Sequence, residues 1–441
     1  MQQLKRVLGL WDLVFYGLVL IQPIAAVGLF GVAQRMSDGH MVATILIAMV
    51  AMAATAVSYG RMAAIYPSAG SAYTFVSKGL NAHLGFLAGW ATVLDYLIIP
   101  IVSTTYASLT LTRLLPPVPF SAWVVVIVVM VTLLNLRGIR STARWNMGLL
   151  AAMCVVIALY FVLATIYLAK HGTLWEAATL YNPAAFQWKH VMMATSFAAL
   201  TYIGFDGVTT LAEEVENPRR NVLMATVIVC LLTGVFSAVQ IYLAARVWPD
   251  YSSFPNVETA FFDVCGRIGG PYLFHAMAAT LLAACVGTAM TGQVGAARLL
   301  YGMGRDNALP SKVFAKVDAT TGVPRWNVLL IGAGTIAGSL LLSYEHAAEV
   351  LNFGAFLAFM GVNAAVTCTY FVRRREHKVG LNVLAPLAGF LFCALIWWNL
   401  PGPAKRIGGA WLALGMVYLM VLTRGFVKPV VAMRFDEGEG R

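Results

Sequence analysis

Two acidic side chains stand inside long apolar runs of the chain, where a charge needs a physical reason. Asp95 lies in GFLAGWATVLDYLIIPIV and Asp206 in TSFAALTYIGFDGVTTLAEEV. A carboxylate at the centre of a bilayer costs at least about 2.5 kcal/mol and usually marks a path for an ion, a proton or a ligand. Asp206 is therefore predicted to bind a substrate ammonium group, and Asp95 or Asp206 a coupling proton. The structural alternatives are an N-cap for Asp206 and a hydrogen bond to a neighbouring helix for Asp95.

Poor helix formers cluster beside Asp206 and again near the N-terminus. Gly204 and Gly207 bracket the aspartate, and PIAAVGLFG occupies residues 23–31 of an apolar run. Glycine costs about 1 kcal/mol in a helix interior, and unwound backbone inside a membrane is tolerated where it lines a cavity. Two broken helices facing one ligand are typical of transporters built from inverted repeats; close packing of helices through small residues is the alternative. The predicted substrate-binding residues are Ala26, Val27, Gly28, Phe30, Tyr96, Tyr202, Gly204, Phe205 and Asp206.

Other side chains are candidates for gating and for ion coupling. Phe205 lies inside the second glycine cluster and is the predicted gate, because an aromatic face can close over a ligand and attract its ammonium group. Thr288 and Thr291 could offer hydroxyl oxygens to sodium, with helix packing as the alternative. Glu213 and Glu214 shortly precede two arginines and form either an ion-pair gate or a solvated face.

The elements that carry these residues are predicted to be transmembrane helices. Of the 441 residues, 60% are hydrophobic and 11% are charged, against roughly 25% charged in soluble proteins. Apolar runs of about 20 residues, each long enough to span a bilayer as a helix, recur throughout and predict an all-α polytopic membrane protein. The twelve predicted spans are 10–33, 42–65, 85–110, 120–138, 146–169, 191–213, 221–246, 272–300, 326–344, 348–371, 382–400 and 407–424. A short interfacial helix is predicted within 66–84.

The net charge of +11 is a topology signal and not a nucleic-acid footprint. With a cytoplasmic N-terminus, 22 of the 30 lysines and arginines fall in the inside segments. This asymmetry is what the positive-inside rule predicts, so both termini are expected in the cytoplasm of a multi-pass inner-membrane protein. The six cysteines and seven histidines are scattered, so no metal, cofactor, disulfide framework or enzymatic centre is predicted.

Three stretches make the chain recognisable: YPSAGSAYTFVSKGLNAHLGFLAGW at 66–90, YIGFDGVTTLAEE at 202–214 and RLLYGMGRDNALP at 298–310. The chain resembles the amino acid–polyamine–organocation transporter family from about residue 8 to 425, and within it the bacterial putrescine importers. The resemblance implies a LeuT-like fold: repeat one over about 10–169, repeat two, of inverted topology, over about 191–371, and two extra helices over about 382–424. The single transporter domain would cover 1–441, with helices one and six broken and the substrate held between spans one, three, six, eight and ten.

The resemblance leaves the substrate open between a polyamine and an amino acid. The putrescine importers carry an aspartate in the first break, where this chain has Gly28. A glycine-rich break also matches amino acid permeases, in which free N–H groups at a half-helix N-terminus receive an α-carboxylate. Some relatives couple to protons through a lysine in the fifth span, which has no charge here. The expected function is proton-coupled import of a putrescine-like amine; an amino acid permease coupled to protons or sodium and a nutrient sensor are the alternatives.

Overall fold

The computed structural model describes residues 8–66, 71–137, 143–305, 310–318 and 323–427, without the side chains of 143–147, 210, 213 and 302. The described residues form fifteen α-helices and no β-strand; one isolated bridge joins Leu8 to Val215. The helices are α1 Leu10–Ile21, α2 Phe30–Met36, α3 Met41–Ala63, α4 Ser71–Gly79, α5 Ala82–Leu114, α6 Phe120–Leu136, α7 Ala143–His171, α8 Trp188–Ala198, α9 Pro218–Val247, α10 Ala260–Arg305, α11 Ser311–Phe314, α12 Arg325–Leu341, α13 Tyr344–Val366, α14 Ala385–Trp398 and α15 Gly402–Leu422.

Short non-α turns join or extend several of these helices. The 3₁₀ segments are Ala25–Leu29, Ala177–Thr179, Ala199–Tyr202, Phe205–Glu214 and Tyr251–Ser253. Two π-helical segments, Thr367–Arg373 and Gly380–Leu384, lie between α13 and α14. A π-turn or a 3₁₀-turn within a membrane segment keeps most backbone groups bonded while it changes the direction of the chain.

Ten helical segments in the described residues are long and apolar enough to cross a membrane, so the chain is an integral membrane protein. The sequence predicts twelve spans. The two predicted at 120–138 and 326–344 correspond to α6 and α12, which have 17 residues each and fall at the short end of the length that a span requires. The helix predicted within 66–84 corresponds to α4; residues 67–70 lie outside the described part of the chain. α4 packs on α5 and α13 and buries Phe75 and Val76.

The first apolar segment is interrupted between α1 and α2. Pro23 has no N–H to donate, and Gln22 before it has a φ of 65°, which is unusual for a residue with a side chain. The Ala25 N–H donates to the Gln22 carbonyl, and the Val27 N–H donates to the Ile24 carbonyl, both at 3.0 Å. A tight 3₁₀ turn thus fills the gap before α2 begins at Phe30.

The segment from Trp188 to Glu214 is interrupted at Ile203 and Gly204. Gly204 has a φ of 110°, in the left-handed region that favours glycine, and the chain then continues as a 3₁₀ helix from Phe205. This interruption packs beside the first one, since a Cβ built on Gly204 would lie 3.7 Å from the backbone of Leu20. The two irregular backbones therefore meet in the interior of the bundle.

Helices α5, α10 and α13 form the middle of the bundle around these interruptions. α5 packs along α10 on one side and α13 on the other, while α3 and α9 pack together behind the interrupted segments. α10 bends at Gly270, where φ is 64° and Pro271 follows. The bend divides it close to residue 272, the predicted start of that span.

Candidate functional site

A cavity of about 680 Å³ lies between the interrupted segments and the middle helices. We call it the central cavity. Its walls come from the end of α1 and the following turn, from α4, α5, the Ala199–Glu214 segment, α10 and α13. On α5 its lining runs from Gly89 to Tyr106, which is about 26 Å along a helix. Its size falls within the range of small-molecule sites, roughly 300–1,000 Å³.

The two ends of the central cavity differ in access. At the end near Gly89, Arg298 and Arg305 of α10 line the cavity and are exposed. At the other end Tyr106 and Tyr344 are 2% and 6% exposed, with ring centroids 4.9 Å apart. The cavity is therefore open at the end where α5 begins and closed at the end where α13 begins.

Both intramembrane aspartates line the central cavity. Asp95 comes from α5 and Asp206 from the second interruption, so two separate elements place a carboxylate in the same cavity. Asp206 lies in the first turn of the Phe205–Glu214 helix, and its side chain faces the cavity. Asp95 Oδ1 is buried and has no hydrogen-bond partner among the described residues. A buried acceptor without a partner is costly. Binding a proton, or accepting a hydrogen bond from a cationic ligand, would remove this cost.

Gln22 brings the first interruption into contact with α10. Its side-chain Nε2 donates to Thr288 Oγ1 at 3.2 Å, and both residues line the cavity. Thr288 Oγ1 in turn donates to the Ala284 carbonyl. Thr291 is exposed and is absent from the lining, and its hydroxyl is within reach of the Gly287 and Thr288 carbonyls. The two threonines predicted to act together are therefore separated, and only Thr288 faces the cavity.

Gly28 lines the closed end of the cavity, where space is short. A Cβ built on Gly28 would lie 3.2 Å from Tyr106 Cζ and 3.4 Å from Tyr344 Oη. The Tyr106 hydroxyl donates to the Glu258 carbonyl at 3.1 Å, which fixes the ring. A larger residue at position 28 would have to displace this tyrosine pair.

Several predicted binding residues do not line the central cavity. Tyr202 is fully buried and its hydroxyl donates to the Ile45 carbonyl at 2.8 Å. Phe205 is fully buried against Tyr59 and Phe359, with ring centroids 5.4 and 5.3 Å away. It therefore does not occupy the gate position predicted for it.

In the first interruption, too, only some of the predicted residues line the cavity. Phe30 is fully buried against Phe254 and Phe261. Ala26 and Val27 are buried and do not line the cavity, whereas Ala25 and Gly28 do. The predicted residues that do face it are Gly28, Asp95, Tyr96, Gly204, Asp206 and Thr288.

The predicted glutamate gate lies at the end of the second interrupted segment. The Glu214 carbonyl accepts the Leu8 N–H at 3.1 Å, so its backbone joins the N-terminal segment. The Glu213 side chain lies outside the described part of the chain. No salt bridge of Glu214 occurs among the described residues.

Sequence reasoning missed most of the lining of this cavity, and three of the missed residues make the contacts described above. Gln22, Tyr106 and Tyr344 line it, yet two of them are aromatic residues in apolar runs and resemble ordinary packing residues. Gln22 had a usable signal, since an amide directly before a proline inside an apolar run indicates a helix end with a polar group to satisfy. Within the described residues no three His, Cys, Asp or Glu side chains come together as a metal site.

Comparisons with known proteins place this architecture in a family of transporters. The chain is 30% identical to the low-affinity putrescine importer PlaP of Escherichia coli strain K12, over 97% of this chain and 96% of the relative. It is 26% identical to the branched-chain amino acid permease BcaP of Lactococcus lactis, over 87% of each chain. It is 28% identical to the vacuolar cationic amino acid transporter 4 of Arabidopsis thaliana, over 84% of this chain and 64% of the relative. These relatives are transporters and not enzymes. The amino acid permease family model matches residues 8–426, and the chain belongs to that family.

Proposed function

We propose that this protein is a secondary active importer of a small organic cation, a putrescine-like diamine, driven by protons. The observation that carries the proposal is the pair of carboxylates, Asp95 and Asp206, in the walls of one central cavity. Two carboxylates in the wall of one intramembrane cavity favour a ligand that brings positive charge into the membrane. Tyr96 also lines the cavity and is 41% exposed, so its ring can contact an ammonium group.

The first interruption supports a cation over an amino acid. An α-carboxylate would need free N–H groups at this position. The N–H groups of Ala25 and Val27 are already bonded within the 3₁₀ turn, so fewer donors remain for an anionic group. The relative named as a putrescine importer covers nearly the whole chain, which agrees with this choice.

An amino acid permease is the second candidate function. Arg298 and Arg305 line the open end of the cavity, and they could attract a carboxylate. Relatives named as branched-chain and cationic amino acid transporters fit that alternative. The arginines lie at the mouth of the cavity and the aspartates lie deeper. A fully bound ligand therefore contacts the carboxylates and not the arginines.

The proposal includes the arrangement in the membrane. α6 and α12 complete twelve spans, the segments over about 10–169 and 191–371 are inverted repeats of a LeuT-like fold in one domain, and the helices over about 382–424 are additions. Both termini are cytoplasmic in a cell inner membrane, as the distribution of lysine and arginine indicates. The open end of the central cavity then faces the cytoplasm, and the structure corresponds to an inward-facing state.

Coupling is proposed to run through the aspartates. Asp95 Oδ1, without a partner, is the proposed proton acceptor, and Asp206 the proposed cation ligand. Sodium coupling through Thr288 is the alternative. The Gln22 side chain already donates a hydrogen bond to the Thr288 hydroxyl. The Gln22 amide must move aside before a sodium ion can approach that oxygen.

Uptake into proteoliposomes tests the function. Purified protein would be supplied with labelled putrescine, leucine or lysine under an imposed proton gradient, an imposed sodium gradient or neither. We expect proton-dependent accumulation of putrescine that Asp206→Asn abolishes. The matched control is Asp250→Asn, which removes one carboxylate from an exposed turn outside the cavity.

The outcomes separate the candidates. Accumulation of leucine or lysine without putrescine would replace the diamine by an amino acid. Accumulation that follows sodium would replace the coupling ion. An unchanged putrescine affinity in Asp206→Asn would remove Asp206 from the binding site.

A further inference from the structure

Glu349 is a carboxyl in the interior of α13 that the proposed mechanism does not use. It is fully buried and does not line the central cavity. Among the described residues neither of its carboxyl oxygens has a hydrogen-bond partner, and it forms no salt bridge. A carboxylate that is buried without donors or a cation is very costly. Such surroundings favour the uncharged carboxyl, with a proton on one oxygen.

Asn352 supplies the acceptor that a protonated Glu349 needs. The two residues are three apart on α13 and therefore lie on one face of the helix, one turn from each other. Asn352 is also fully buried, and its Oδ1 has no hydrogen-bond partner among the described residues. Three oxygens on this face thus lack a donor. One proton on Glu349 provides a donor, because the O–H of a carboxylic acid can donate to an amide oxygen.

The Asn352 side chain also joins α13 to α8, the helix that leads into the second interruption. Its Nδ2 donates to the Ser196 carbonyl. The next residue, Phe197, packs edge-to-face on Tyr344, with ring centroids 5.8 Å apart, and Tyr344 belongs to the pair that closes the central cavity. Contacts therefore run from Glu349 through Asn352 to α8 at the closed end of the cavity.

No cation pairs with Glu349 in the part of the chain that the structure describes. On α13 itself Glu345 lies one turn earlier and adds a like charge. This part of α13 contacts α8 through Asn352, and α14 and α15 through Phe353, whereas α5 packs on another face at Gly354. The other ionisable side chains that α8, α14, α15 and the first turn of α13 contribute, none of which bonds to Glu349, are Lys189, His190, His346, Cys393, Lys405, Arg406 and Tyr418.

The basic groups in this set are engaged elsewhere or exposed. His190 Nδ1 lies 2.6 Å from Asp38 Oδ2, and His346 Nδ1 lies 3.0 Å from Ser343 Oγ. Lys405 donates to the Trp398 carbonyl. The two remaining basic side chains, Lys189 and Arg406, are exposed. Neutralisation of Glu349 is therefore left to a proton.

We propose that Glu349 is a proton-binding site that controls how firmly the closed end of the central cavity is held shut. The bound proton makes the hydrogen bond to Asn352, and Asn352 holds α8 against α13. Loss of the proton leaves a carboxylate beside the Asn352 oxygen, and because both are acceptors they repel each other and release α8. Glu349 is fully buried while the end is closed, so its proton exchanges with solvent when α8 and α13 separate.

This proton is distinct from the coupling proton assigned to Asp95. Asp95 lines the central cavity and Glu349 does not, so the proton on Glu349 regulates closure and is not carried with the substrate. The side from which it comes rests on the proposed function: with cytoplasmic termini, the closed end faces the outside of the cell and Glu349 responds to the external pH.

The sign of the pH dependence follows from the state that holds the proton. The closed form binds one more proton at Glu349 than the open form, so a fall in pH favours closure and a rise in pH favours opening. For a single proton the ratio of closed to open molecules changes by at most about tenfold per pH unit.

Distances between two spin labels test the site without substrate. The full-length protein, in lipid nanodiscs, would carry labels at Gln187→Cys, directly before α8, and at Leu341→Cys, shortly before α13. Both positions are exposed. The cysteines that are not buried would be replaced by serine in this background; they are Cys154, Cys285 and Cys368. We expect the population with the shorter distance to grow severalfold between about pH 8 and about pH 5.

Substitutions at the site give opposite outcomes. Glu349→Gln should keep the shorter distance at every pH, because the glutamine amide donates to Asn352 as the protonated acid does. Asn352→Leu removes the acceptor and the bond to Ser196, so it should favour the longer distance and lose the pH response. This second variant tests the site even if Glu349→Gln does not fold. Glu345→Gln is the matched control, since it changes the same charge one turn away and should retain the response.

Three results would overturn the site: a parent protein whose distances do not depend on pH, a pH response that survives in Glu349→Gln, or a response that disappears in Glu345→Gln. Failure of the proposed function has a different signature. It would show as absent putrescine uptake by the parent protein in proteoliposomes and would leave the distances between the labels unchanged.

Discussion

Gly204→Ala is the most direct test of the second interruption. Gly204 has φ 110° and ψ −12°, and there is room for a methyl group, since the nearest atom to a built Cβ is 3.7 Å away. The substitution therefore probes backbone conformation and not steric exclusion. An alanine must either hold the strained φ or rotate the peptide toward the helical region, which would carry Phe205 and Asp206 with it.

The cost of the first option can be worked from the backbone. A left-handed conformation costs an L-residue about 1–2 kcal/mol. Alanine recovers about 0.4–1 kcal/mol because it restricts the unfolded chain more than glycine does. A net loss of up to about 1.5 kcal/mol follows if the backbone holds, which is roughly a tenfold change in the folded-to-unfolded ratio. If the peptide rotates instead, stability is retained and the carboxylate of Asp206 leaves the cavity.

Thermal stability in detergent and putrescine binding, measured on one preparation, separate the two options. If alanine holds the strained φ, the midpoint of thermal unfolding falls and the affinity for putrescine is preserved. If the peptide rotates, the midpoint is preserved and the affinity for putrescine falls. Gly334→Ala is the matched control, because Gly334 lies in α12 with open space around a built Cβ and no positive φ; it should be neutral or stabilising. A Gly204→Ala protein with both parent-like midpoint and parent-like affinity would refute the reasoning.

Three further substitutions give distinct outcomes. Asp95→Asn should abolish putrescine accumulation driven by a proton gradient and leave counterflow exchange intact; accumulation that persists would exclude Asp95 as the proton site. Tyr202→Phe should lose the hydrogen bond to Ile45, destabilise by about 1 kcal/mol and leave the KM of uptake unchanged, and a shifted KM would return Tyr202 to the binding site. Gly28→Val should displace Tyr106 and slow uptake roughly tenfold or more; unchanged kinetics would mean that the closed end is not tightly packed.

The helices and the positions where they are interrupted could be predicted because both depend on residue types that the sequence shows directly. An apolar run of sufficient length indicates a span, and Gly204 and Pro23 indicate where a helix cannot continue. α6 and α12 were predicted as spans from runs that the structure winds into shorter helices. The sequence carries apolar length, whereas helix ends depend on local capping and on the neighbouring elements.

Side-chain direction is what the sequence could not supply. Phe205 and Asp206 are adjacent, yet one packs with Tyr59 and the other faces the cavity. Their directions follow from the positive φ at Gly204 and the 3₁₀ geometry after it, which composition does not encode. The tyrosines of the closed end were missed for the same reason. An aromatic residue in a membrane helix is interpreted as an ordinary packing residue until its neighbours are known.

Tyr344 lines the central cavity and also a smaller cavity of about 320 Å³ beyond its closed end. Because Tyr344 and its partner Tyr106 together close this end, the closure cannot be altered for one cavity alone. A mutation at Tyr344 that widened the central cavity for a bulkier substrate would also weaken the closure that prevents leakage of substrate. Evolution of a relative with a larger substrate would then require paired substitutions, one in the tyrosine pair and one in a neighbouring residue that restores the closure.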